Sequence, residues 1–254
     1  MKSLLSLLCV ALVPASSIAQ GIVAGGATPG GYSTGSDIRG AMALKDVTSY
    51  GNLAVSALIP RLCDPDPRVR QASLLALQAL GPLAKPAIPA VVNLIRDPDS
   101  FVRIDAVQTA VKLGDDSVPY LVVLLHDPIG EVRYLAARAI EELDPPPPGA
   151  LPALMASLRD IDPRVRQVCI FALEKMGLAA RPAIMMVADL FHDPDSYVRI
   201  DAARMLSEMG PDAVPALALL LCDMNGNIRE SAAQTLQKIA ADMPTSITSP
   251  PEDR

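Results

Sequence analysis

The chain has 254 residues, half of them apolar, and a formal net charge of −6. So large an apolar share supports a packed core and excludes a disordered acidic tail. Holding a phosphate backbone needs a surplus of Lys and Arg that this acidic chain lacks, so nucleic acid is excluded as a partner. With three Phe, five Tyr and no Trp, the interior must be filled by Leu, Val, Ile, Ala and Met.

Residues 1–19 read as a cleavable secretory signal. Lys2 supplies the charge, Leu4 to Val13 the apolar stretch, Pro14 a break, and Ser17-Ile18-Ala19 a small-x-small site before Gln20. The stretch is shorter than the about 20 residues that span a bilayer. Charges or prolines interrupt the later apolar runs, so no membrane span is expected after cleavage and the mature chain is expected to be secreted or periplasmic. Residues 20–35 form a Gly-rich linker, expected to be disordered, and Asp37 to Ser49 resembles a truncated helix that caps the array.

From Asp64 onward the chain repeats. D-P-D-P-R-V-R at Asp64–Arg70 recurs in looser form from Asp97, Asp127, Asp160, Asp193 and Asp223, at intervals of 33, 30, 33, 33 and 30 residues. A longer period of 96 residues lies over the short one, and aligning 64–143 on 160–239 gives roughly 37 identities in 80 positions. A three-repeat block has been duplicated. Residues 36–143 form the first block and its cap, 144–149 a Pro-rich spacer, 150–242 the second block, and 243–254 a tail expected to be disordered.

Each unit reads as two helices. The first starts near a proline column (Pro89, Pro119, Pro152, Pro215), where a missing N–H costs little. The second starts after an N-cap column of Asp66, Asp99, Asp162, Asp195 and Asn225. It ends before Gly81, Gly114, Gly177 or Gly210. Apolar or small residues at Val102, Ala106, Thr109, Ala110 and Leu113 make one helical stripe, repeated at Val198, Ala202, Met205, Leu206 and Met209. One hairpin cannot bury its apolar face alone, so stacking must supply the core. A small-residue column (Ser73, Ala106, Ala136, Cys169, Ala202, Ala232) lets adjacent helices approach closely.

An Asp followed by V-R, a small residue four positions after the Val and a Gly ending the helix resembles the HEAT repeat, in particular the short bacterial subclass named after phycobilisome lyases. The resemblance covers residues 36–242. It implies an all-α, right-handed α-α superhelix, a HEAT/ARM-like solenoid of about six helical hairpins plus an N-terminal cap helix. Its functional message is weak, since such repeats serve scaffolds, lyases, hydroxylases and glycosylases alike.

The most regular charges are the ladder Asp64, Asp97, Asp127, Asp160, Asp193 and Asp223 with Arg70, Arg103, Arg133, Arg166, Arg199 and Arg229. Catalysis needs one differentiated site, so six equal copies read as structural bonds between the turn of one unit and the helix of its neighbour. Before each ladder Asp stands Cys63, Arg96, His126, Arg159, His192 or Cys222. Repeats are roughly 10 Å apart whereas zinc ligands lie about 2 Å from the metal, so this column reads as loop surface. Cys169, in the packing column, reads as an inert buried thiol. Cys63, Cys169 and Cys222 sit in repeats too distant for a disulfide. No catalytic, cofactor or metal residue is expected.

What remains is the second-helix surface, which lines the concave side of a HEAT superhelix. Ile104, Asp105, Tyr134, Leu135, Arg138, Phe171, Ile200, Asp201 and Arg204 form an apolar strip bordered by charge, the form of a groove for a protein or peptide partner. The competing assignment makes several of them, with Val168, core against the next helix. Both blocks keep Ile-Asp after the ladder Arg, at 104–105 and 200–201, where the other repeats differ. The sequence therefore points to an exported, non-catalytic scaffold. The alternatives are an accessory subunit of a lyase-type or other modifying enzyme, and a structural spacer in an envelope assembly.

Overall fold

The computed structural model of the chain describes residues 50–242. The signal, the Gly-rich linker, the cap segment and the tail lie outside the described residues. Within them all secondary structure is helical. Residues 50–58 are helical and run into a 3-10 turn, Ile59–Cys63. There follow α1 (Pro67–Leu80), α2 (Ile88–Asn93), α3 (Ser100–Leu113), α4 (Val118–Leu124), α5 (Gly130–Glu142) and α6 (Leu151–Ser157). The array closes with α7 (Pro163–Lys175), α8 (Ile184–Asp189), α9 (Ser196–Met209), α10 (Val214–Leu220) and α11 (Gly226–Asp242). Paired in order, these make six hairpins, each a short first helix and a long second one.

The local signals act where the sequence places them. Asp66, Asp99, Asp162, Asp195 and Asn225 each accept a backbone N–H of the first turn that follows, at 2.8–3.0 Å, satisfying a donor that the helix leaves orphaned. Gly81, Gly114, Gly177 and Gly210 have φ of +56°, +79°, +55° and +60°, a region where a Cβ is costly. They turn the chain into 3-10 connectors of two lengths: seven residues at Gly81–Ala87 and Gly177–Ala183, four at Gly114–Ser117 and Gly210–Ala213.

The described chain divides into two compact units, one ending at Tyr120 and one starting at Leu121. In the first, α1 and α2 pack on α3. In the second, α5, α7, α9 and α11 pack side by side in chain order, with α8 against α10 on the first-helix layer. The small column sits at these contacts: Ala106, Ala136, Cys169, Ala202 and Ala232 are fully buried and Ser73 nearly so. The stripe of α3 and its copy in α9 are likewise in the core.

By length and composition alone, Pro67–Arg96 is apolar enough to cross a membrane. It comprises α1, a 3-10 connector, α2 and a second 3-10 turn, broken at Gly81. Leu74, Leu77, Val91 and Ile95 of this stretch are buried within the first unit.

Candidate functional site

The turn between the helices of each hairpin is built by one device, repeated six times. The ladder Asp accepts the N–H of the residue two positions on at 2.7–2.9 Å. The ladder Arg folds back from the second helix, and its Nη1 donates to the carbonyl of that Asp at 2.7–2.9 Å. The same Nη1 also donates to the next carbonyl at 3.1–3.4 Å. A turn whose backbone oxygens are held this way needs no water to satisfy them.

The other edge of the guanidinium distinguishes the repeats. Arg166 grips Asp193 with Nε and Nη2 at 2.7 and 2.6 Å, and Arg133 grips Asp160 at 2.6 and 2.8 Å. Arg70 reaches Asp97 with Nη2 at 2.7 Å, leaving its buried Nε unpartnered. These carboxylate bonds push the Arg70 and Arg133 guanidiniums above their usual range. All three pairs span 33-residue steps. The expected equality of the six copies is therefore corrected inside the second unit: Arg199 keeps its carbonyl bonds but forms no ion pair among the described residues, while Arg229 stands in the last described repeat. Across the 30-residue step into the last repeat, His192 takes Asp223 instead, its Nε2 lying 2.6 Å from Oδ2. The connector before α10 is three residues shorter than the one before α8, which changes how the next hairpin meets the second helix. The bond from Asn225 N–H, then the one from His192, holds the Asp223 carboxyl below the usual range.

Among the described residues no three His, Cys, Asp or Glu side chains converge as metal ligands. Cys63 and Cys222 are exposed free thiols, while Cys169 is buried and its thiol is pushed up to about 12 by burial and then by the charge of Asp160.

On the second helices, Ile104 and Ile200 stand out in solvent with 47% and 61% of their surface exposed, so neither is core. Tyr134, Leu135 and Phe171 are half-buried. Val168 is buried, as the competing core assignment has it. Arg204 lies over the Phe171 ring, 5.2 Å from its centroid, and pairs with Glu174 and, at 3.7 Å, with Asp201. Burial, with Glu208 alongside, raises the Glu174 carboxyl. Arg138 pairs with Glu142 at 2.8 Å on its own helix, and Arg164 covers Tyr134 at 5.1 Å. In the second unit the aromatic members of the strip thus lie beneath guanidiniums, and the aliphatic Ile200 stands open.

The conserved Ile-Asp pair separates into two roles. Asp105 accepts from Gln71 at 2.9 Å and Asp201 from Gln167 at 3.0 Å, each bond joining neighbouring second helices. Packing geometry therefore explains Asp105 and Asp201, which sequence reasoning took as free of structural duty. A signal was present, since the duplication keeps both partners: Gln71 recurs as Gln167 and Asp105 as Asp201. Nothing comparable engages Ile104 or Ile200.

A family model of HEAT repeats matches residues 37–109, 55–141, 118–189 and 185–249. The chain belongs to the HEAT-repeat family. Among solved structures this HEAT chain is similar to one from work on TOG–tubulin binding specificity in microtubule dynamics and mitotic spindle formation. That match has 17% identity and a TM-score of 0.53, covering 72% of this chain and 81% of that one. It is also similar to a computationally designed armadillo repeat protein for modular peptide recognition (20% identity, TM-score 0.48, covering 72% and 98%). A third similar structure is the complex of CpcE and CpcF of phycocyanin lyase from Nostoc sp. (19%, 0.46, covering 59% and 98%). At these identities the likeness concerns the fold. Comparison with curated proteins gives no match.

Proposed function

We propose that this HEAT-repeat protein is an exported, non-catalytic scaffold that holds a protein or peptide partner on the concave face formed by its second helices. The observation that carries this reading is the exposure, at duplicated positions, of Ile104 in the first unit and Ile200 in the second; beside Ile200 the charges of Arg204, Glu174 and Asp201 are tied to one another. A desolvated Ile is worth about 1.5–3 kcal/mol to a complex, whereas an exposed one contributes nothing to the fold. Pre-paired charges keep the strip soluble and set its selectivity. HEAT-repeat membership supports a binding role over a catalytic one, because stacked repeats present extended surface. The N-terminal signal motif supports export.

The test is the double variant Ile104→Ser/Ile200→Ser, with partner capture from native envelope extract and a thermal melt of the same protein. The proposal expects capture to fall about tenfold or more, from ~1.4 kcal/mol per decade, with the melting temperature unchanged. A lowered melting temperature with intact capture would remove the site.

A further inference from the structure

Between α9 and α11, inside the second unit, lies an open groove of about 650 Å³. Arg199 and Ile200 line it from α9, and Asn225, Asn227, Ile228 and Ser231 from α11 and its cap. This is the junction where the ladder pair does not form. Arg199 is exposed and spends only Nη1 on the Asp193 and Pro194 carbonyls. Its Nε/Nη2 edge meets no carboxylate of the described chain.

In Arg133 and Arg166 that same edge closes on an Asp carboxylate with two parallel bonds. The fold thus shows twice what this fork is shaped to hold. Both ladder carboxylates near the groove are engaged: Asp193 by Arg166 at 2.6 Å and Asp223 by His192 at 2.6 Å. The remaining polar lining is neutral amide and hydroxyl. An incoming anion therefore meets one guanidinium edge with no carboxylate on it and ladder carboxylates already held by hydrogen bonds.

We propose that this groove is the subsite for an Asp or Glu side chain of an extended peptide segment of the partner, received by the Nε/Nη2 edge of Arg199. The inference rests on the scaffold reading and names the partner's chemistry at one place on it. A guanidinium fork matches a carboxylate in geometry and charge. One cation is too little for a polyanion, whose binding scales with the number of phosphates neutralised. Ile200 and Ile228 supply apolar wall beside the fork, and Asn225, Asn227 and Gln234 offer amides to a peptide backbone that brings its own donors and acceptors.

The experiment uses the isotope-labelled mature chain and two capped probes, acetyl-Leu-Glu-Leu-amide and its Gln twin, titrated by NMR at low salt. The Glu probe should shift the Arg199 side-chain Nε–H and the backbone amides of residues 225–231 saturably, with affinity at least fivefold above the Gln twin. Arg199→Gln should erase that preference and Arg199→Lys should retain part of it. Should Arg199→Gln disturb the turn, Ser231→Glu provides a carboxylate inside the groove and should abolish the preference with Arg199 in place. Equal shifts from both probes, or a Glu preference that survives Arg199→Gln or Ser231→Glu, would overturn the proposal. Native partner capture separates the two levels. If Arg199→Gln leaves capture whole while Ile104→Ser/Ile200→Ser abolishes it, the subsite falls and the scaffold stands; if both variants capture normally, the scaffold reading itself falls.

Discussion

Two neighbouring junctions in the second unit start from the same parts and end differently. Between α7 and α9 the connector has seven residues, Arg166 closes on Asp193, and both side chains are nearly buried. Between α9 and α11 the connector has four residues, Arg199 stays open to solvent, and a half-exposed His192 holds Asp223. The ladder Arg therefore does two separable things. It pins the carbonyls of its own turn in every repeat, and within the second unit it seals the next repeat across the 33-residue steps but not across the 30-residue one. A three-residue change on the far side of the hairpin turns a structural cation into an available one.

The contrast is sharpest for loss of the guanidinium. Arg166→Ala strands Asp193 in a buried place, and breaking such a pair costs about 3–5 kcal/mol. Arg199→Ala removes only bonds to turn carbonyls, worth about 1 kcal/mol. Urea unfolding of the two variants side by side checks this, and equal losses would erase the distinction between the junctions.

A smaller effect is expected inside the helix layer. Ala202 is fully buried between second helices, so Ala202→Leu should overpack at a cost of about 1–3 kcal/mol. Because repeats contact their neighbours only, hydrogen-exchange protection should drop in α7, α9 and α11 and hold in α1. Uniform loss in every repeat would contradict nearest-neighbour stacking.

The smallest effect concerns pH. The Asp223 carboxyl is depressed by the Asn225 N–H and then by His192. A depressed carboxyl contributes stability above its unfolded value, about 3.9, and loses it as pH falls through the lower folded value. His192→Ala should move the Asp223 titration upward towards the ordinary range while leaving that of Asp162, held down chiefly by Arg164, in place. Carboxyl-detected NMR would show either outcome.

Much of this was legible in the sequence, for identifiable reasons. Caps at Asp66 or Asp195 and the turn at Gly210 are local rules, fixed by backbone geometry within a few residues. The burial of Ala106 and Ala202 followed from helical spacing, which for Ile104 and Ile200 favoured exposure but left core packing open as the alternative. What could not be read was the contact between helices that share no local rule. The 30- and 33-residue steps were plain in the numbers, yet whether Arg199 reaches Asp223 depends on how a short connector sets the next hairpin. Asp105 was taken as free because its partner Gln71 lies 34 residues away on another helix. Val168 was left undecided for the same reason, and the neighbouring helix buries it.

The claim that the second-helix face does the holding is most directly tested by hydroxyl-radical footprinting of the protein with and without its captured partner. The account predicts that Ile200, Phe171 and Tyr134 lose oxidation on binding, while Met185 and Leu219, exposed on the first helices, keep theirs. Protection of Met185 and Leu219 with Ile200 unchanged would place the partner on the opposite layer and contradict it.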